Sequence, residues 1–229
     1  RFLELYQKLC DAGVKPLVVK GLICRMLYPN PSHRPSTDED ILIPAEQFEA
    51  AHQIMMDAGL ELMEPEQDIY KEYEVAYVKK GLYIELHKQL FPEEAESYGY
   101  LNSYFEGVHE RAVAEDIQGT MVYTMGHTDH LFYLICHAFK HFLGPGCGVR
   151  QICDIVLYAN AYGAQIDWEK IVNRCKEIKA DKWVAALLKI GQEYCGFNYE
   201  KACCAGYWQD SDIDVKPLLK DMIEGGIVG

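Results

Sequence analysis

The 229-residue sequence contains no run of eighteen apolar residues. A membrane-spanning helix needs about 20, so the sequence reads as that of a soluble protein. No secretory leader pattern is visible, which makes the cytoplasm the expected compartment. Basic charge is scarce: Lys and Arg number 22 against 35 Asp and Glu, a formal net charge of −13. Nucleic-acid binders draw most of their affinity from basic contacts to phosphates. Neither nucleic acid nor a membrane is therefore an expected partner, and a neutral or cationic second substrate suits this composition better than another polyanion. Nine cysteines are present without a single Cys-x-x-Cys spacing. Their odd number and their scatter over apolar segments predict buried free thiols in a reducing compartment. Repeats and low-complexity tracts are also missing. A methionine is missing from position 1, where Arg1 opens a stretch with helical spacing (Phe2, Leu5, Tyr6, Leu9), so a fragment of a longer chain is expected.

What is present divides into two halves. Residues 2–12 predict an amphipathic helix stopped by Gly13, followed by a short strand at 17–19 and the turn Lys20-Gly21. A helix over 22–27 ends at Tyr28-Pro29-Asn30-Pro31, a strong breaker cluster. A strand at 38–43 and a helix at 45–57 come next. Strands at 69–79 and 82–88 flank Lys80-Gly81, and a second pair at 110–117 and 120–125 flanks Gln118-Gly119, both hairpin signals. From Thr128 the period changes to that of helices, at about 128–142, 149–162, 167–179 and 181–195. The segment after Tyr199 carries no clear pattern. An α+β first half, residues 1–126, followed by a helical second half, residues 127–229, is the expected organisation.

The most informative stretch is Arg34-Pro-Ser-Thr-Asp38-Glu39-Asp40-Ile41-Leu42-Ile43. On a strand, Asp38 and Asp40 share one face while Glu39 faces the other way. Two adjacent carboxylates repel, and a divalent cation such as Mg²⁺ relieves that repulsion, because it favours hard oxygen ligands shared with substrate phosphates. The competing reading is a solvated acidic loop before a strand. The later run Leu82-Tyr83-Ile84-Glu85-Leu86-His87 places Glu85 on one strand face with Tyr83 and His87. Alone, Glu85 is a solvated strand residue; with Asp38 and Asp40 it supplies a third carboxylate of a metal site.

In that order the residues resemble the nucleotidyltransferase superfamily, in which a Gly turn leads into a helix, Asp-x-Asp lies on the next strand and a third acidic residue on a later one. Within it the chain resembles an uncharacterised bacterial group, through Lys20-Gly21, Tyr28, Arg34, Asp38-Glu39-Asp40, Glu85-Leu86-His87 and His137-Ala138-Phe139-Lys140-His141, and on through Arg150 and Asp154. The resemblance spans most of residues 14–160. It implies an α+β fold with a mixed sheet and helices, followed by an all-helical C-terminal half. It further implies Mg²⁺ held by Asp38, Asp40 and Glu85, and a nucleoside triphosphate bound by Lys20, Gly21 and Arg34. The nucleoside monophosphate would pass to an unidentified small-molecule or protein acceptor, with Glu85 completing the site or taking the acceptor proton. Tyr28, His87, His137 and His141 are candidates to line the cleft, which the helical half would wall.

Two departures from the superfamily pattern open an alternative. The turn reads Gly21-Leu22 rather than Gly-Ser or Gly-Gly, so phosphate contacts fall to backbone amides at the helix start or to Lys20. The middle residue of the acidic pair, usually apolar, is Glu39, which predicts a weakened or more solvated strand edge. Both suit a catalytically lapsed nucleotide-binding or partner-binding module of the same fold. Lys20 and Arg34 also read as solvated or bridged to a carboxylate. His137 and His141, at i and i+4, read either as metal ligands or as packed helix residues hydrogen-bonded to groups such as Asp154. A His-dependent metal hydrolase on the helical half is a third reading.

Overall fold

A computed structural model describes residues 1–34, 38–144, 146–204, 206, 208–209 and 212–225. Pro35, Ser36 and Thr37, inside the acidic stretch, lie outside the described residues. The chain divides into two compact units, residues 1–26 with 30–126, and residues 27–29 with 127–229.

The first unit opens with α1 (Phe2–Asp11), β1 (Leu17–Val18), α2 (Gly21–Arg25), β2 (Asp38–Leu42) and α3 (Phe48–Asp57). It continues through β3 (Glu61–Leu62), β4 (Glu74–Lys79), β5 (Leu82–His87), β6 (Val113–Ile117) and β7 (Thr120–Thr124). Five strands form a mixed sheet in the order β1-β2-β5-β4-β3, with β2 and β5 parallel and the other neighbours antiparallel. The pair β6-β7 forms a separate ribbon. Both hairpins turn where the sequence predicts. Lys80 and Gly81 have φ of 37° and 82°, and Gln118 and Gly119 of 56° and 81°. Positive φ at both central residues matches the right-handed twist of the strands they join.

The period-2 pattern separates the sheet into two chemistries. Ile41, Ile43, Val75, Tyr77, Ile84 and Leu86 are buried with Leu5 and Leu9 of α1 and Phe48, Ala51 and Met55 of α3. Burying one such side chain contributes about 1.5–3 kcal/mol, so this face stabilises the unit. The opposite face carries Asp38 and Asp40 of β2, Tyr83, Glu85 and His87 of β5 and Glu74 of β4.

The second unit contains α4 (His127–Leu143), α5 (Val149–Tyr162), α6 (Trp168–Glu177), α7 (Asp181–Tyr194) and α8 (Lys216–Gly225). A Cβ on Gly191 of α7 would come within 2.5 Å of Val156 Cγ2, so the glycine permits close packing of α5 against α7. No helix among the described residues is long and apolar enough to cross a membrane.

Several boundaries differ from the sequence reading. The strand expected from residue 69 begins at Glu74, and the ribbon expected from residue 110 begins at Val113. β3, a 3-10 turn at Gly99–Phe105 and α8 were not anticipated. β3 spans two residues with no internal alternation, held by its pairing to β4, so only the partner strand defines it.

Candidate active site

The site forms where β2 and β5 run side by side in the middle of the sheet. Their parallel register sets Asp38 beside Tyr83, Asp40 beside Glu85 and Leu42 beside His87. Asp40 is 1% exposed, and its neighbour Lys20, at the end of the loop after β1, is 6% exposed. Lys20 Nζ donates to Asp40 Oδ1 at 2.8 Å and lies 3.7 Å from Asp38 Oδ2. Burial alone would lower the ammonium pKa, but the charges of Asp40 and Asp38 outweigh it and raise the value. Burial likewise opposes ionisation of Asp40, yet Lys20 and His87 hold its carboxyl well below the usual range.

His87, 4% exposed, stands among three carboxylates. Its Nε2 is 3.5 Å from Asp40 Oδ1 and 3.7 Å from Glu85 Oε2, and its Nδ1 is 3.3 Å from Glu74 Oε2. Burial disfavours the imidazolium, but Asp40 and Glu85 push its pKa up to about 9. These contacts are ionic. Neither ring nitrogen of His87, nor Asp40 Oδ2, has a well-directed hydrogen bond among the described residues, although all three are buried. A buried polar atom left without a partner is costly, and a divalent cation would satisfy several at once. Asp40, Glu85 and His87 each offer a ligand atom within 4.8 Å of the others. The donor set therefore fits a metal ion, through two hard oxygens and one imidazole nitrogen.

That cluster differs from the expected trio of Asp38, Asp40 and Glu85. The structure joins Asp40 and Glu85 with His87, whereas the Asp38 carboxylate approaches the Lys20 ammonium at 3.7 Å. Asp38 sits at the first position of β2, where the strand has just begun. Glu85 keeps 23% of its side chain exposed, against 1% for Asp40.

The Gly21 turn is tighter than the sequence reading allowed. Gly21 has φ of +35°, and a Cβ there would lie 2.2 Å from Glu39 Oε2 and 2.9 Å from the Asp38 carbonyl oxygen. Glu39 accepts from the Leu22 amide at 2.6 Å and pairs with Arg25 Nη2 at 2.7 Å. Burial pushes its pKa up, against the Arg25 guanidinium and the Leu22 amide. Glu39 is 5% exposed, so it does not mark a solvated edge. It fastens α2 to β2, and the Leu22 amide, expected to face phosphates, is satisfied by this carboxylate instead.

The other expected residues have surroundings of their own. Arg34 is buried at 3% exposure, which removes the reading of a solvated surface side chain. Tyr28 belongs to the second unit, where its hydroxyl donates to Asp154 Oδ1 at 2.8 Å. His137 and His141 lie half-buried on α4 with ring centroids 4.6 Å apart, and no metal-ligating cluster among the described residues includes them. Two participants escaped the sequence reading. Glu74 opposes His87 across the β4-β5 hairpin, a pairing available by counting outward from Lys80-Gly81. Arg25 reaches Glu39 only once α2 folds back on β2, and no local pattern announces that.

The family model of uncharacterised nucleotidyltransferases matches residues 1–196, and the chain belongs to that family. No sequence among the curated proteins matches this chain. Among solved structures, the crystal structure of an antigenic nucleotidyltransferase-like protein from Paracoccidioides brasiliensis is similar, with TM-score 0.55 and 15% identity over 87% of this chain and 88% of that one. The antibiotic-resistance factor ANT(2'')-Ia, in complex with adenylyl-2''-tobramycin, is similar with TM-score 0.51 and 16% identity over 78% of this chain and 97% of that one. Its solution structure gives TM-score 0.50 and 15% identity over 85% and 97%. At these identities the likeness shows the fold, a nucleotidyltransferase-like mixed sheet with a helical C-terminal half.

Proposed function

We propose that this member of the uncharacterised nucleotidyltransferase family is a Mg²⁺-dependent enzyme that moves a nucleoside monophosphate from a nucleoside triphosphate to a small-molecule or protein acceptor. The observation that carries the reading is the buried Asp40 carboxylate in register with Glu85 on the adjacent central strand, where Asp40 Oδ2 and the His87 ring nitrogens have no well-directed hydrogen bond among the described residues. Asp38, Asp40 and Glu85 would hold the metal, and the fit of the donor set adds His87. A bound divalent ion supplies charge neutralisation at the phosphates and orients them for in-line displacement.

The chain's own residues do the rest. An acceptor hydroxyl oxygen attacks the α-phosphorus, the bond from that phosphorus to the bridging oxygen breaks, and pyrophosphate leaves. Glu85, the more exposed carboxylate of the pair, completes the metal site or takes the acceptor proton. Asp40 and His87 are held by buried charge and resist rotation, which keeps the reacting geometry fixed. Lys20 and Arg34 offer positive charge to the triphosphate. A net charge of −13 favours a neutral or cationic acceptor over a nucleic acid.

One observation favours a second reading, a catalytically lapsed nucleotide-binding or partner-binding module: Glu39 satisfies the Leu22 amide at the start of α2. Thermal-shift titration with ATP, GTP, CTP and UTP, with and without Mg²⁺, separates a nucleotide-binding protein from a partner-binding module. Metal-dependent stabilisation by a nucleotide that disappears in an Asp38→Ala, Asp40→Ala double variant puts nucleotide and metal at the acidic strand, and pyrophosphate release with candidate acceptors then tells the enzyme from a lapsed nucleotide-binding module. No shift with any nucleotide moves the weight to the partner-binding module.

A further inference from the structure

Lys20 does more in this site than offer a charge to a substrate. Its ammonium donates to Asp40 Oδ1 at 2.8 Å and stands 3.7 Å from Asp38 Oδ2. The side chain is only 8% exposed, so these are contacts in a low-dielectric setting rather than a fluctuating surface pair. Asp40 is also one of the three residues whose ligand atoms converge, with Glu85 and His87. The same carboxylate is thus the anchor of the lysine and a member of the ligand set.

We infer that Lys20 is a built-in counter-cation that competes with a divalent ion for Asp40 and Asp38 and transfers to the phosphates when a metal–triphosphate pair enters. The inference rests on the metal-site reading above and adds a direction of coupling to it. A dication on Asp40 and an ammonium on the same carboxylate repel strongly where water is excluded. Metal alone must therefore draw Asp40 and Asp38 away from Lys20 and leave the ammonium less well neutralised, and that costs affinity. A triphosphate arriving with the metal supplies the anion that receives the displaced ammonium. Metal and triphosphate then bind with positive cooperativity, which linkage makes reciprocal. Gly21 directly follows Lys20, with positive φ and its α-carbon packed against β2. The turn itself is held in place, so the exchange is made by the lysine side chain rather than by the loop.

This predicts opposite signs for two affinities in one variant, which loss of a merely structural salt bridge would not give. In Lys20→Met, Mn²⁺ alone, titrated calorimetrically and by the paramagnetic resonance of the free ion, should bind at least tenfold more tightly than to wild type. Inorganic tripolyphosphate in the presence of Mn²⁺ should bind at least tenfold more weakly. Lys20→Arg keeps the charge and should leave Mn²⁺ binding at or below the wild-type affinity. Should Lys20→Met require metal to fold, the Mn²⁺ concentration that restores its cooperative unfolding reads the same affinity. Weaker or unchanged Mn²⁺ binding in Lys20→Met overturns the counter-cation role. Tripolyphosphate carries no base, so the outcome stands apart from whether any nucleotide is a substrate. Failure of Mn²⁺ to bind wild type and Lys20→Met alike sinks the metal site itself, and a normal metal response without binding of any nucleoside triphosphate sinks only the nucleotidyl-transfer reading.

Discussion

The two faces of the five-stranded sheet are built from the same strands and have opposite jobs. One face presents Ile41, Val75, Tyr77, Ile84 and Leu86 to α1 and α3 with almost no exposed surface. The other, one residue out of phase, gathers Asp40, Glu85, His87 and Glu74 into a cluster of charges whose members lack well-directed hydrogen bonds in part. Stability therefore comes chiefly from the first face, and the second is tolerated because the first is so well packed. Carboxylates and an imidazole brought together without full hydrogen bonding are costly to bury. Their presence in the middle of the sheet points to a ligand rather than to folding.

The comparison breaks if a change on the polar face disturbs folding more than chemistry. Glu85→Gln removes one charge from a side chain with appreciable exposure, so nucleotidyl transfer should fall by about 10²–10³-fold. Its urea-unfolding free energy should fall by only about 1–2 kcal/mol, because Glu85 is one of several carboxylates that hold His87 charged. Pyrophosphate release and equilibrium unfolding on the same preparation read both numbers. A variant that retains activity removes Glu85 from the chemistry.

Ile84→Ala is the mirror test on the apolar face. Ile84 is completely buried, and its truncation should cost about 2–5 kcal/mol while turnover per folded molecule stays near wild type. Loss of turnover before any loss of folded protein would show that the two faces are coupled more tightly than the alternation suggests.

His87 makes the polar face sensitive to pH. Its pKa rises from 6.5 in the unfolded chain to about 9 in the folded one, so its stabilising contribution is fully present below pH 6.5. That contribution is lost as pH rises through about 9, amounting to on the order of 3 kcal/mol. Urea unfolding of metal-free protein between pH 6 and 10 should show this decline, and His87→Gln should flatten it. A wild-type profile no steeper than that of the variant would mean that His87 is not held charged by its neighbours.

The smallest effect concerns the second unit. His137→Ala with His141→Ala should leave affinity for Mg²⁺ or Mn²⁺ unchanged and lower stability by about 1 kcal/mol, because these half-buried rings pack against each other and His137 against Tyr133 rather than in a metal-ligating cluster of the described residues. A clear loss of metal affinity would revive the helical half as a metal-binding region and dissolve the contrast with the sheet.

Much of this was legible in the chain alone. Alternation on β2 and β5 requires Asp38 and Asp40 to share a face, and Glu85 to share one with His87. The turns Lys80-Gly81 and Gln118-Gly119 announced their hairpins through residues that accept positive φ. Helical spacing after Thr128 delivered α4 to α7 near their predicted limits. The resemblance carried by the ordered motifs agreed with the family to which the chain belongs.

Tertiary structure decided what those residues touch. That β2 pairs with β5 in parallel, with Asp40 beside Glu85, depends on a crossover of some forty residues that no local period encodes. The same packing turned Glu39 from an apparent flaw in the strand into the clamp between α2 and β2, and set Lys20 on the acidic pair. Periodicity fixes which side of an element a residue faces, because that follows from backbone geometry alone. Which groups meet across that face follows from strand order and register, and those are settled only when distant segments bury their apolar sides together.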